Sequence, residues 1–364
     1  MSVASINFDK SPYDAGTQTK LRIFELYAQA WLPVFFSRPN PKYPEVHLFD
    51  FFCGSGKDSA GVLGSPLRLL DQVRRYHRKG MAGWAKVKVT IHLFDESKKK
   101  VAHLQQIIDS DNWKIPDVTL DIRALRFGDA LKECQSILSD QNAAKLLIID
   151  QYGVDEVSDA VFKQLLRYPT CDFIFFLSSA TLHRFRDHPA IKQKIEVLVD
   201  SYDVHRAAFA YYRKLIPSND AFYLGPFSIK KGSNIYGLIF GSRHPLGIHK
   251  FLEVAWQNDQ IAGEANFDIE RENIAQNEML LEIDEMRPRK LQAFERELEN
   301  LLAGGQMRDE ADIIRFCISS GMTCGHSKGT IKKLKQAGTI ACEFRVPNVS
   351  NFRVPRKMSV PQIA

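Results

Sequence analysis

At 364 residues, with 45% hydrophobic and 25% charged residues, the chain has the composition of an ordinary folded protein and room for a large core, which excludes a disordered or low-complexity polymer. The formal charge of +6 is modest for this length, so contact with nucleic acid has to be argued from where Lys and Arg cluster. Met1 to Lys20 lacks the basic-then-apolar order of a signal peptide, no apolar run approaches the roughly 20 residues needed to span a bilayer, and the six cysteines include no Cys-x-x-Cys pair. A cytoplasmic protein with no membrane association is expected.

From Thr17 to Phe36 apolar residues recur at helical spacing, with Thr17 or Thr19 as cap. A Pro-rich loop then leads into an apolar strand that ends in His47-Leu48-Phe49-Asp50-Phe51-Phe52-Cys53-Gly54-Ser55-Gly56-Lys57. Helices follow near Pro66 to His77, Ser97 to Ile108, Leu131 to Leu138, Ser158 to Leu166 and Pro189 to Val199. Strands fall between them at Val87 to Phe94, Val118 to Phe127, Leu146 to Ile149 and Asp172 to Leu177. Short apolar strands alternating with helices predict an α/β fold with a doubly wound sheet covered on both faces. Two later strands, Phe222 to Ile229 and Ile235 to Ser242, form a closing hairpin and make the sheet seven-stranded and mixed. Asp268 to Leu302 reads as a charged helical connector. Beyond it, helices at Glu310 to Ser319 and Lys328 to Gln336 precede strand-like segments at Ala341 to Arg345 and Phe352 to Arg356, the order of a small winged-helix domain. The expected domains are 1–265, 266–305 and 306–364.

In an open α/β sheet, ligands lie across the carboxyl ends of the strands, and polar residues follow four of them in turn. Asp50 with the Gly54/Gly56 turn follows the first strand; glycines there let a ligand approach the backbone. Asp95 ends the second, placed to accept hydrogen bonds from ribose hydroxyls. Gly128-Asp129-Ala130 follows the third, where a carboxylate and a backbone amide can read an adenine edge. Asp150-Gln151-Tyr152-Gly153 ends the fourth, where a reactive group would face the cofactor. Taken singly, each acid is more often a helix cap than a ligand. Taken together, and without the third glycine of Gly-x-Gly-x-x-Gly or the Gly-x-x-x-x-Gly-Lys-Ser/Thr of a phosphate loop, they fit S-adenosylmethionine better than a nicotinamide.

With Gly64-Ser65-Pro66-Leu67, Phe94-Asp95-Glu96-Ser97, Ile149-Asp150-Gln151-Tyr152-Gly153 and Tyr236-Gly237-Leu238-Ile239-Phe240-Gly241-Ser242-Arg243-His244, the sequence resembles the three-Cys-motif partner proteins, TcmP, over most of residues 17 to 260. The resemblance implies a class I, Rossmann-like methyltransferase fold with S-adenosylmethionine as cofactor. It also implies Asp50, Gly54, Gly56, Asp95 and Asp129 as cofactor contacts and Asp150 with Tyr152 facing the acceptor; Lys20, Cys53 and Ala130 are expected beside the cofactor, and Gln151 could donate or accept a hydrogen bond at the acceptor. A companion protein with a three-cysteine motif would be a partner. Similar proteins often have proline where Gln151 stands, a departure that removes a fixed backbone angle.

Lys328, Lys332 and Lys335 share one helical face, and Arg353 and Arg356 follow, a grouping suited to the phosphates of DNA or RNA or else a solvated surface. Cys317, Cys324, His326 and Cys342 have no familiar zinc spacing, so no metal is expected. His183, Arg184, Arg186 and His188 follow the fifth strand as a solvated loop or a cleft lining. The expected activity is methyl transfer to nucleic acid; the alternative is a non-catalytic subunit that keeps the fold to support a partner.

Overall fold

The computed structural model describes residues 11–151, 156–177, 204–232, 234–270 and 288–360. The chain divides into two units, Met1–Arg243 and His244–Ala364, so the break falls after Arg243 and not at the expected residue 265.

In the first unit, helix α1 (Ala15–Trp31) buries Leu21, Ile23, Phe24, Tyr27, Ala28 and Trp31 along one stripe. Its cap is Asp14, whose carboxylate accepts the Thr17 amide at 2.9 Å, and not Thr17 or Thr19. Pro33 carries no amide hydrogen to continue the ladder, so the expected single helix breaks into α1 and α2 (Pro33–Phe36). The sheet consists of β1 (Glu45–Asp50), β2 (Lys88–Asp95), β3 (Val118–Ala124), β4 (Ala143–Ile149), β5 (Cys171–Leu177), β6 (Tyr223–Lys231) and β7 (Asn234–Ser242). Their order is β3-β2-β1-β4-β5-β7-β6, with β7 antiparallel to both β5 and β6. Interleaved are α3 (Ser65–Arg78), α4 (Lys98–Ser110), α5 (Phe127–Glu133), α6 (Gln135–Ser139), α7 (Asp159–Arg167) and α8 (Val204–Lys214). The helix expected at Leu131 to Leu138 is two short helices joined at Cys134. The helix expected at 189–199 and the residues His183, Arg184, Arg186 and His188 lie outside the described residues.

One core cluster stacks Phe49, Phe51, Phe94, Phe162, Phe173 and Phe175 from β1, β2, α7 and β5. On β5, Asp172 accepts the Tyr27 hydroxyl of α1 at 2.7 Å. A polar chain crosses β1, β2 and the edge strand β3. Glu45 meets His47 at 3.0 Å, His47 meets His92 at 3.1 Å, and His92 meets Asp121 at 2.9 Å, with Phe49 stacked on His92 at 4.2 Å. Because strand order reverses between β1 and β4, the crevice outside their carboxyl ends is the place for a ligand.

The second unit contains α9 (Pro245–Asn258), α10 (Arg289–Ala303), α11 (Glu310–Ser319) and α12 (Lys328–Gln336), with Trp256, Phe294, Leu298, Ile313 and Ile331 in its core. The two tail helices sit where the sequence puts them. The hairpin differs: β8 is only Ala341–Cys342, and its antiparallel partner β9 is Met358–Ser359, not 352–356. The reason is Glu310, fully buried, which accepts the Asn348 amide at 2.6 Å, the Asn351 side-chain amide at 3.2 Å and the Arg356 Nε at 3.0 Å, holding 348–356 as turns. No helix among the described residues is long and apolar enough to cross a membrane.

Candidate active site

The β1 chain does not leave the sheet at Asp50. The Phe51 amide donates to Ile148 of β4 at 3.1 Å and the Cys53 amide to Phe94 of β2 at 2.8 Å, so the turn begins already fastened to both neighbours. Gly54 and Gly56 then adopt φ of 63° and 94°, in the left-handed region that glycine enters without penalty. A Cβ on Gly56 would meet Leu104 at 2.8 Å, whereas one on Gly54 would meet nothing within 4 Å. Gly56 is thus required by packing, and Gly54 faces open space. Asp58, which sequence reasoning missed, organises the rest of the turn by accepting the amides of Tyr13 (2.6 Å), Ala60 (2.9 Å) and Val62 (2.8 Å). The signal was available in Asp58-Ser59-Ala60-Gly61, an Asx-turn pattern.

Three carboxyl groups gather at the strand ends. Asp95, 6% exposed, accepts the Gly54 amide at 3.2 Å and the Ser97 amide at 2.9 Å, with the Lys100 ammonium 3.8 Å away. Asp150 has both oxygens 2.6 Å from Lys20 of α1, whose ammonium also lies 4.6 Å from the centre of the Phe176 ring. Asp50 is fully buried. Its Oδ1 accepts the Phe52 amide at 3.1 Å, and its Oδ2 has no hydrogen-bond partner among the described residues. Burial pushes its pKa up to about 7, the charges of Asp150 and Asp95 add to the rise, and the Ser65 hydroxyl and Phe52 amide oppose it.

The structure thus brings Lys20, Asp50, Cys53, Gly54, Gly56, Asp95 and Asp150 to one end of the sheet, although Lys20 is bonded to Asp150. Cys53 contributes backbone, its buried thiol lying 3.8 Å from the Gly54 carbonyl. Two expected roles are corrected. The Ala130 amide cannot read an adenine edge, because α5 starts at Phe127 and that amide is spent on the Arg126 carbonyl at 2.9 Å; Asp129 is exposed in the same turn. Gln151 is no acceptor-binding group: it is 2% exposed, donates to the Phe176 carbonyl at 2.8 Å and accepts the Val157 amide at 3.1 Å. It closes the loop after β4 by side-chain bonds, where proline would have done so by fixing φ. Tyr152 lies outside the described residues.

In the second unit Lys328, Lys332 and Arg353 are exposed, but Lys335 donates to the Cys342 carbonyl at 2.6 Å and Arg356 is engaged by Glu310. Cys317 and Cys324 share a hydrogen bond that, with His249, holds the Cys324 thiol below its usual range despite burial. His326 points elsewhere, accepting the Thr323 amide at 3.1 Å and lying 4.3 Å from Trp256. Among the described residues, no three His, Cys, Asp or Glu side chains are placed to hold a metal ion.

No family model matches this sequence, and neither does any curated protein. Solved structures with a similar arrangement include an rRNA methylase from Streptococcus thermophilus, at 9% identity over 60% of this chain and 92% of that one, TM-score 0.31. An O-methyltransferase from Bacillus cereus with SAH matches at 15% identity over 65% and 82%, TM-score 0.34. M. jannaschii TYW2 with AdoMet matches at 10% identity over 64% and 77%, TM-score 0.30. At these scores the likeness adds nothing to the strand order, which by itself defines the class: a seven-stranded, Rossmann-like methyltransferase fold with its last strand reversed.

Proposed function

We propose that the first unit binds S-adenosylmethionine across the carboxyl ends of β1, β2 and β4 and is built for methyl transfer. The observation that carries this reading is the unpartnered, fully buried Asp50 oxygen beside a glycine that faces open space. A buried polar atom left without a partner costs about 1–3 kcal/mol, so its persistence in an otherwise closed turn marks a ligand's place. A ligand with an ammonium group for Asp50 and hydroxyls for Asp95 meets both needs. When bound, its sulfonium supplies an electrophilic methyl group; alignment with the acceptor then provides much of the rate. Asp95 orients the ribose, and Gly54 leaves room for the amino-acid portion.

Nucleic acid is the acceptor class we favour, through Lys328, Lys332 and Arg353. A second reading is supported by one specific observation. Asp150 is neutralised by Lys20 and Gln151 is spent on backbone groups, so the two side chains expected to hold an amine are both engaged. This favours a supporting subunit of the TcmP type, with a three-cysteine-motif protein as companion. Calorimetry tests the shared cofactor claim: S-adenosylmethionine should bind and NAD should not, and Asp95→Ala should cost about 1–3 kcal/mol of affinity. Equal affinity for the two nucleotides would end this reading. Transfer of labelled methyl to DNA or RNA would decide for the enzyme over the supporting subunit.

A further inference from the structure

The three carboxyl groups at the strand ends differ in one respect that decides what each can do for a ligand. Asp150 already holds the Lys20 ammonium on both oxygens. Asp95 receives two backbone amides and has the Lys100 ammonium at 3.8 Å. Asp50 faces Asp95 from β2 and Asp150 from β4, and among the described residues its hydrogen-bonding neighbours are the Phe52 amide, on Oδ1, and the Ser65 hydroxyl of α3. Among the described residues it is the one carboxyl of the three with no cation beside it.

We propose that binding at this site is proton-linked: Asp50 holds a proton while the site is free and gives it up when a ligand's ammonium group settles against Oδ2. This deepens the S-adenosylmethionine reading and rests on it. The balance is simple. The carboxylic acid loses its proton to solvent, the ammonium keeps all three of its own, and the pair that forms is a carboxylate with an ammonium. Burial alone would keep the acid neutral, since an isolated carboxylate in a dry site is costly. With its pKa pushed up to about 7, both forms are open to it near neutral pH, where an arriving cation tips the balance. Lys20 and Lys100 cannot serve in place of the ligand, because each is committed to another carboxylate.

The linkage gives the affinity a definite pH dependence. Below about pH 7 the ligand must displace a proton, so affinity rises as pH rises; above it the carboxylate is already formed and affinity levels off. The site would also distinguish ligands by their ammonium group. S-adenosylhomocysteine carries it, and 5′-methylthioadenosine does not.

The experiment is calorimetry on the full chain with these two compounds, in phosphate and in Tris at pH 7 and pH 8. Heats that differ between the buffers count the protons released. S-adenosylhomocysteine should release a measurable fraction of a proton at pH 7 and less at pH 8, and 5′-methylthioadenosine none at either. Asp50→Asn should abolish the release and weaken S-adenosylhomocysteine roughly ten- to hundredfold, while 5′-methylthioadenosine binds as before and so shows the turn intact. Binding of S-adenosylhomocysteine without proton release would overturn the inference and make Asp50 a permanently neutral donor. Equal release with both compounds would overturn it too, by assigning the proton to another group. If neither compound binds, the cofactor reading itself falls and takes this inference with it.

Discussion

Asp50 in the first unit and Glu310 in the second are both carboxyl groups with no solvent exposure, yet they have opposite fates. Glu310 is saturated. Burial raises its pKa, but Arg356, the Asn348 and Arg356 amides and the Asn351 side chain more than offset this, and the result lies below the usual carboxylate range. Asp50 has one amide, the Ser65 hydroxyl, an oxygen without a partner among the described residues and two like charges nearby, and burial pushes its pKa up to about 7. The contrast separates structure from function without reference to any relative: a carboxylate that the fold satisfies holds the chain together, and one that the fold leaves unsatisfied waits for something else.

The largest effect that could break this comparison is a pH dependence of stability. Because the folded pKa of Asp50 is raised from 3.8 to about 7, the folded state binds more protons between those values, and its stability contribution is present below pH 4 and lost as pH rises through 7. At about 1.4 kcal/mol per unit the loss amounts to about 4 kcal/mol, and Asp50→Asn should remove it from a urea-unfolding pH series. An unchanged profile would mean that Asp50 is not the strained group. Glu310 runs the other way, its contribution present above the unfolded pKa and lost as acid protonates it. Glu310→Ala should cost about 3 kcal/mol at pH 7, the lower end for breaking a buried ion pair, since Arg356 is partly solvated. Trp256 is the tryptophan of the second unit's core and its fluorescence would report the loss; a wild-type unfolding midpoint would refute the role given to Glu310.

These carboxyls also show what a sequence can and cannot disclose. Asp50 was legible because it ends an apolar run before two glycines, and the alternation of such runs with amphipathic helices made the sheet legible too. That its second oxygen lacks a partner was not, because satisfaction depends on groups brought from α3, β2 and β4. Lys20 and Asp150 are 130 residues apart, and no local pattern pairs them. Gln151 misled for the opposite reason: its place in a motif suggested chemistry, while its amide is spent on Phe176 and Val157. Glu310 stood at the start of a correctly located helix, yet its grip on 348–356, which displaced the expected second strand, is a long-range contact invisible to periodicity.

Smaller effects sharpen the comparison. Asp58→Ala should cost about 1–2 kcal/mol by releasing two amides of the glycine turn and the Tyr13 amide, and should weaken S-adenosylhomocysteine binding along with stability. A stability loss with unaltered affinity would detach that turn from the site. The smallest effect belongs to the tail. If Lys328 and Lys332 contact phosphates, replacing both with Gln should reduce the logarithmic salt slope of DNA or RNA binding by about two, whereas Lys335→Gln, already bonded to Cys342, should act mainly on stability. Identical slopes before and after would leave this face to a protein partner.

The polar chain from Glu45 through His47 and His92 to Asp121 fixes a count of protons. Its three links join two carboxyls and all four imidazole nitrogens, and each link needs one hydrogen. Two neutral imidazoles bring two hydrogens, one fewer than the links, and burial lowers the His47 pKa, which works against a third. Charged partners stand at both ends of the chain: Lys88 lies 3.9 Å from Glu45, and Arg123, 2.6 Å from Asp121, also meets Glu133. β1, β2 and β3 are therefore sewn together by a seam whose imidazoles are buried while its charged ends, Glu45 and Arg123, keep part of their side chains in water.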